Sequence, residues 1–141
     1  MPDITFTADT LRYISLFESM TKTRVKDCME VEDKLVYVVE TGQANKAVGK
    51  KGENVIKLKN TTGKNIQVVE FSDDPEQFIR NVFYIYDVQD VKIEDRGNIK
   101  HATVTVDPKV KGRAIGKGGK NLKIARDIVN RHHDIQSISV A

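Results

Sequence analysis

The chain of 141 residues has no tryptophan, one cysteine, three prolines and three histidines. A single cysteine, Cys28, excludes an internal disulfide and any multi-cysteine metal site. It lies in the apolar stretch "VKDCMEV", where a small core residue is expected, and it suits a reducing, cytoplasmic setting. The longest aliphatic and aromatic run, "LVYVV" at Leu35 to Val39, is far shorter than the roughly 20 residues that cross a bilayer. The opening "MPDITFTADT" has neither a basic nor an apolar leader segment, so no signal peptide is expected. His132 and His133 are expected to close a helix, where positive charge suits the dipole, and His101 to face away from the core.

Catalytic patterns are scarce as well. No Ser/His/Asp set and no paired-carboxylate site can be assembled. A phosphate loop of the G-x-x-x-x-G-K-[ST] kind needs Ser or Thr after the lysine, but Gly49-Lys50 is followed by Lys51 and Gly116-Lys117 by Gly118. The expectation is a non-enzyme with no cofactor, no metal, no small-molecule substrate and no membrane contact.

What is present is basic charge in two islands. Residues 46–64 hold six lysines against Glu53, and residues 109–131 hold eight lysines and arginines against Asp127. These segments carry 14 of the 23 bases and 2 of the 20 acids, so the rest of the chain is net negative. Two positive islands on an acidic body favour a polyanion that docks locally.

Each island contains the same phrase. "KAVGKKGENV" at Lys46 to Val55 returns 67 residues later as "RAIGKGGKNL" at Arg113 to Leu122. Further on, "NIQVVEF" at Asn65 to Phe71 matches "DIQSISV" at Asp134 to Val140 once two extra residues are allowed. The chain therefore reads as a tandem.

Both copies give one order of elements. In the first, Thr7 or Asp9 caps a helix with Leu11, Ile14, Phe17 and Met20 at helical spacing. "VKDCMEV" and "KLVYVVE" are strands around an "EDK" turn, and "QANKAV" is a short helix. A helix from about Glu53 to Thr62 stops at Gly63, and "NIQVVEF" closes the copy as a strand. In the second, Asp74, Pro75 and Gln77 form a helix start, with Phe78, Ile79, Val82 and Phe83 as the buried stripe. "DVKIED" and "HATVTVD" are strands, the latter turning Ala102, Val104 and Val106 inward. "VKGRAI" is the short helix, "KNLKIARDIVNRH" a longer one with Leu122, Ala125, Ile128 and Val129 on one face, and "DIQSISV" the last strand. The expected architecture is α+β, α-β-β-α-α-β twice, each with helices packed on a small three-stranded sheet. The domains are expected at 1–73 and 74–141, and the short connection, at most about 11 Å across three residues, predicts a rigid tandem.

A G-x-x-G turn between helices lets another backbone approach closely, and its lysines add charge with reach. Val48 and Ile115, just before the loops, would begin an apolar wall for bases. All nine aromatics lie outside the two islands, which argues against a sheet-stacking binder.

On these residues the copies resemble KH domains, whose GXXG loop clamps single-stranded nucleic acid. A leading helix and closing strand resemble the type II variant. Phrases such as "LRYISLFES", "GKKGENV" and "SDDPEQFIRNVF" resemble the archaeal NusA-like family, which consists of two KH domains. The resemblance implies an RNA-binding factor of transcription elongation or termination. Its partner would be single-stranded RNA, with RNA polymerase a candidate protein partner. The implied RNA-binding positions are Val48, Gly49, Lys50, Lys51, Gly52, Asn54 and Lys57 in the first copy. In the second they are Ile115, Gly116, Lys117, Gly118, Gly119, Lys120, Asn121 and Lys123. Gly118 in place of a lysine predicts a more flexible second loop. The alternatives are a KH-type subunit of a ribosome-assembly or RNA-decay machine, or a KH module turned to protein interaction.

Overall fold

The computed structural model describes residues 7–141. The chain divides into two compact units, one ending at Ser72 and the other running from Asp73 to Ala141.

The first unit opens with α1 (Ala8–Thr21), capped by the Thr7 hydroxyl, which accepts from the Thr10 N–H at 3.1 Å. It stops where Lys22 turns left-handed and donates its N–H to Glu18 O at 2.9 Å. Strands β1 (Val25–Val31) and β2 (Lys34–Val39) pair antiparallel across Glu32 and Asp33. Strand β3 (Asn65–Glu70) pairs parallel to β2, from Lys34 opposite Asn65 to Val39 opposite Glu70. A parallel pair requires a crossover. Here the crossover is α2 (Ala44–Val48), the GKKG loop and α3 (Glu53–Thr62), so the loop is held at both ends by helices.

Helix α1 closes the core. Phe17 stacks on Tyr37 with ring centroids 4.1 Å apart, and the Tyr37 hydroxyl donates to Tyr13 O at 3.1 Å. Burial, with Cys28 and Tyr13 nearby, holds the Tyr37 phenol protonated well above its ordinary range. Cys28, Leu35, Val39, Ala47 and Leu58 complete the cluster.

The second unit repeats the plan with α4 (Pro75–Val82), β4 (Asp90–Arg96), β5 (Ile99–Thr105), α5 (Pro108–Ile115), α6 (Lys120–His132) and β6 (Ser137–Val140). Strands β4 and β5 are antiparallel, β5 and β6 parallel, and α5, the GKGG loop and α6 form the crossover. Asp74 caps α4 through Glu76 N–H at 3.3 Å, with Pro75 at the first helical position. Each unit is thus α+β with a three-stranded mixed sheet.

Several expectations need correction. Leu11 is exposed, because Thr10 takes the inward position of that turn, its hydroxyl donating to Thr7 O at 3.0 Å. Helix α5 begins at Pro108, earlier than the residues after it suggested, because Asp107 caps Lys109 N–H at 2.8 Å. The inner face of α6 uses Ile124 where Leu122 was expected, and Leu122 is half-buried. Gln77 directs its side-chain amide N–H forward to Asn81 Oδ1 at 2.9 Å. His132 is buried edge-on against Phe78, ring centroids 5.5 Å apart, so it serves packing as well as the helix end.

His101 does lie on the face opposite Ala102 and Val104, yet it is only 6% exposed. Its ring nitrogens bond Ser137 Oγ at 2.8 Å and Ser139 Oγ at 2.9 Å, both on the parallel strand beside it. Burial, then the Arg96 charge, lowers its proton affinity below that of an ordinary histidine.

Candidate nucleic-acid interface

Both crossover loops have one backbone shape. The first glycine sits at φ 81°, ψ 170° (Gly49) and φ 81°, ψ 166° (Gly116), a region that essentially only glycine enters. The third residue is left-handed in both loops, Lys51 at φ 55°, ψ 28° and Gly118 at φ 65°, ψ 18°. The second glycine is left-handed too, Gly52 at φ 73° and Gly119 at φ 77°. The turns close identically, Gly52 N–H to Gly49 O at 3.1 Å and Gly119 N–H to Gly116 O at 3.0 Å. Those closing bonds, and the next ones from Glu53 and Lys120, use none of the N–H groups of Lys50, Lys51, Lys117 or Gly118.

The asparagine two residues on explains why the phrase is longer than its glycines. Asn54 Nδ2 donates to Lys46 O at 3.2 Å, and Asn121 Nδ2 donates to Arg113 O at 2.9 Å. Each amide staples the second helix of the crossover to the end of the first. The staple also needs the first glycine. A Cβ at Gly49 would lie 3.0 Å from Asn54 Nδ2, and one at Gly116 would lie 2.8 Å from the Asn121 backbone nitrogen. G-x-x-G-x-N is therefore a self-closing unit. The repeated alanines, Ala47 and Ala114, are fully buried and let the short helices lie close to their units.

Around this frame the side chains divide by exposure. Lys50, Lys51, Lys57, Lys117, Lys120 and Lys123 are exposed, while Val48 and Ile115 are half-buried at the loop edge. Asn54 and Asn121 are partly covered and each spends an amide N–H internally, bracing the crossover.

The comparisons with known proteins agree with this layout. A "KH domain" family model matches residues 11–73, and a "NusA-like second KH domain" model matches residues 75–141. The chain is 35% identical to the "Probable transcription termination protein NusA" of Thermoplasma acidophilum, across 99% of this chain and 97% of that one. The chain belongs to the NusA family. With the protein of the same name from Methanococcus vannielii it shares 40% identity over 95% of this chain and 77% of the relative. A solved structure described as "Crystal structure of APE1850" superposes with a TM-score of 0.78 at 34% identity, covering 96% of this chain and all of that one. The NusA family is one of non-enzymatic transcription factors, and this member carries two KH domains. Among the described residues, no helix is long and apolar enough to cross a membrane, and no group of three His, Cys, Asp or Glu side chains could hold a metal ion.

Within this NusA-family chain the two sets of candidate residues are not symmetric. Lys57 aligns with buried Ile124, and Lys123 aligns with Ile56, which is 56% exposed on α3. Lys64, counted in the first island, is drawn away. It pairs with Glu30 at 3.1 Å and donates to Glu32 O at 2.8 Å, and the hydrogen bond to Glu30 raises its proton affinity. Arg126 reaches back to Ile138 O at 3.4 Å. The fold also carries one aromatic to the second loop despite its distance in sequence: Asn121 Nδ2 donates to the Tyr86 hydroxyl at 3.3 Å.

Proposed function

We propose that this chain binds single-stranded RNA at its two GXXG loops and acts in transcription termination or elongation, in keeping with the names its relatives carry. The observation that carries the reading is the loop built twice with one backbone, lysines outward on both. The missing Cβ of Gly52, Gly118 and Gly119 leaves open space where a phosphodiester can approach, and the N–H groups of Lys50 and Lys117 lie outside the closing bonds. Val48 and Ile115 supply apolar surface at the same edge, which favours unstacked bases over a duplex.

The test is affinity of the intact chain for an RNA of about twelve nucleotides, single-stranded and as a duplex. Lys50→Asp with Lys51→Asp, and separately Lys117→Asp with Gly118→Asp, should each weaken single-strand binding tenfold or more, on the order of 1.4 kcal/mol. About two to three phosphate contacts per loop give a combined salt slope of roughly −3 to −4. Wild-type affinity in the chain carrying all four substitutions, or tighter binding to the duplex, would overturn the reading. Residues 1–73 and 74–141 are proposed as the two binding halves, and the whole should exceed the better half on the long RNA. RNA polymerase is the protein partner to assay, before and after nuclease treatment.

A further inference from the structure

Between α4 and β4 the chain makes a 3-10 turn, Tyr84–Tyr86, that leaves two large side chains in solvent. Tyr84 is 80% exposed and Ile85 78%, more than any other large hydrophobic among the described residues. The turn is well anchored. Phe83 before it is buried, Tyr86 N–H donates to Phe83 O at 2.9 Å, and Asp87, left-handed at φ 52°, donates to Tyr84 O at 3.3 Å. The exposed pair is therefore presented on an ordered turn. Holding this much apolar surface in water costs about 25 cal/mol per Å², which an occupant would recover.

The position of the turn indicates the occupant. Tyr86 accepts from Asn121 Nδ2, the same amide that staples the second loop to Arg113 O, and the turn packs against α5, which leads into that loop. With a 3-10 rise of about 2 Å per residue, Tyr84 and Ile85 come just before the anchored Tyr86, within about 4 Å of it along the turn axis. Exposed Asp87 closes the turn, and the loop it adjoins carries exposed Arg113, Lys117 and Lys120. The first loop has no counterpart, since the segment after α1 reads Lys22, Thr23, Arg24, with Thr23 buried. It has instead the additional lysine, Lys51, where the second loop has Gly118.

We propose that Tyr84 and Ile85 form a base-stacking platform that extends the RNA site of the second loop by about one or two nucleotides. An unstacked base of the RNA held at Lys117 lies against the Tyr84 ring and the Ile85 side chain. The second loop thus gains a stacking contact where Gly118 replaces the lysine of the first. This rests on the RNA-binding reading above and adds a contact to it.

The experiment uses the intact chain and a twelve-nucleotide oligoadenylate, with Tyr84→Ser plus Ile85→Ser as the main variant. Affinity should fall roughly tenfold while the salt slope stays at its wild-type value, because stacking releases no counterions. Both side chains lie in solvent, so the melting midpoint should hold. In Tyr84→Trp, affinity should be kept and the indole fluorescence quenched as RNA saturates, a readout that remains if the double variant folds poorly. If the double variant binds within twofold of wild type while Lys117→Asp still weakens binding, the platform is wrong and the loop reading stands. If neither Lys117→Asp nor the first-loop reversal weakens binding, both readings fall together. Unchanged RNA affinity with loss of nuclease-resistant polymerase binding would make the turn a protein-docking surface and overturn the proposal.

Discussion

In the first loop the left-handed third position is filled by Lys51, at φ 55°, and in the second by Gly118, at φ 65°. A lysine there bears a strain of about 1 kcal/mol that a glycine does not. The backbone is nevertheless the same, so this position is not what sets the turn. The first glycine and the asparagine five residues later set it, in both units. Around that shared frame the chemistry diverges. The first loop has Lys51 and exposed Ile56, and the second has Gly118, Lys123 and the Tyr86 tether. The conserved geometry and the variable contacts therefore lie on different residues, and they can be altered separately.

The largest effect should come from attacking the frame. Gly116→Ala forces a Cβ to within 2.8 Å of the Asn121 backbone nitrogen and should cost about 2–3 kcal/mol. Gly49→Ala meets the Glu53 and Asn54 side chains, which have more freedom to move, and should cost about 1–2 kcal/mol. Amide exchange in β5 against β2 reads the two units separately. Equal losses would remove the distinction between a backbone and a side-chain obstacle.

Next comes a charge comparison. Lys51→Asp and Lys117→Asp each reverse one loop lysine, and each should weaken RNA binding about fivefold to tenfold in a titration at constant salt. A much smaller effect at Lys51 would mean that the strained lysine is kept for something other than phosphate contact.

A reciprocal exchange is gentler. Lys51→Gly should stabilise the first unit by about 1 kcal/mol while lowering RNA affinity, and Gly118→Lys should do the reverse in the second. Calorimetry paired with binding assays tests both signs. Stability and affinity moving together would break the trade between strain and charge.

The smallest effect concerns a residue with no match in the first unit. His101 binds a proton less readily when folded than when unfolded, so its contribution to stability is full above the unfolded value of about 6.5 and is lost as pH falls below it. Wild type should therefore lose more melting temperature than His101→Gln between pH 7.5 and 5, by a few degrees. Parallel curves for the two proteins would show that burial of the ring is not felt by the equilibrium.

Local signals in the sequence located most of the frame. Strand β1 and helices α3 and α6 lie where the apolar periodicity and the bounding glycines put them, because each is determined by residues within a few positions. The repeated phrase located both loops for the same reason. What stayed hidden depends on partners far along the chain. His101 is buried by serines 36 and 38 residues away, and Tyr86 meets an amide 35 residues on. Lys64 is claimed by Glu30 across the sheet. Composition counted that lysine as part of a positive island, and only the strand pairing shows it is already spoken for. The start of α5 was missed although its signal is local: Asp107-Pro108 repeats the Asp74-Pro75 pattern that opens α4.

The parallel pairing of β2 with β3, and of β5 with β6, places each loop inside a crossover. Such a loop cannot take its final shape early, because its two flanking helices are positioned only once strands separated by a long stretch of chain have met. Loop formation is then tied to the non-local strand pairing of its unit. On the ribosome the first unit has all its strands once Glu70 is made, and the second waits for Val140. At about 5–20 residues per second, the second loop lags the first by roughly 4–14 s. A newly made chain thus passes through a stage in which one loop can already be formed while the other has yet to be translated.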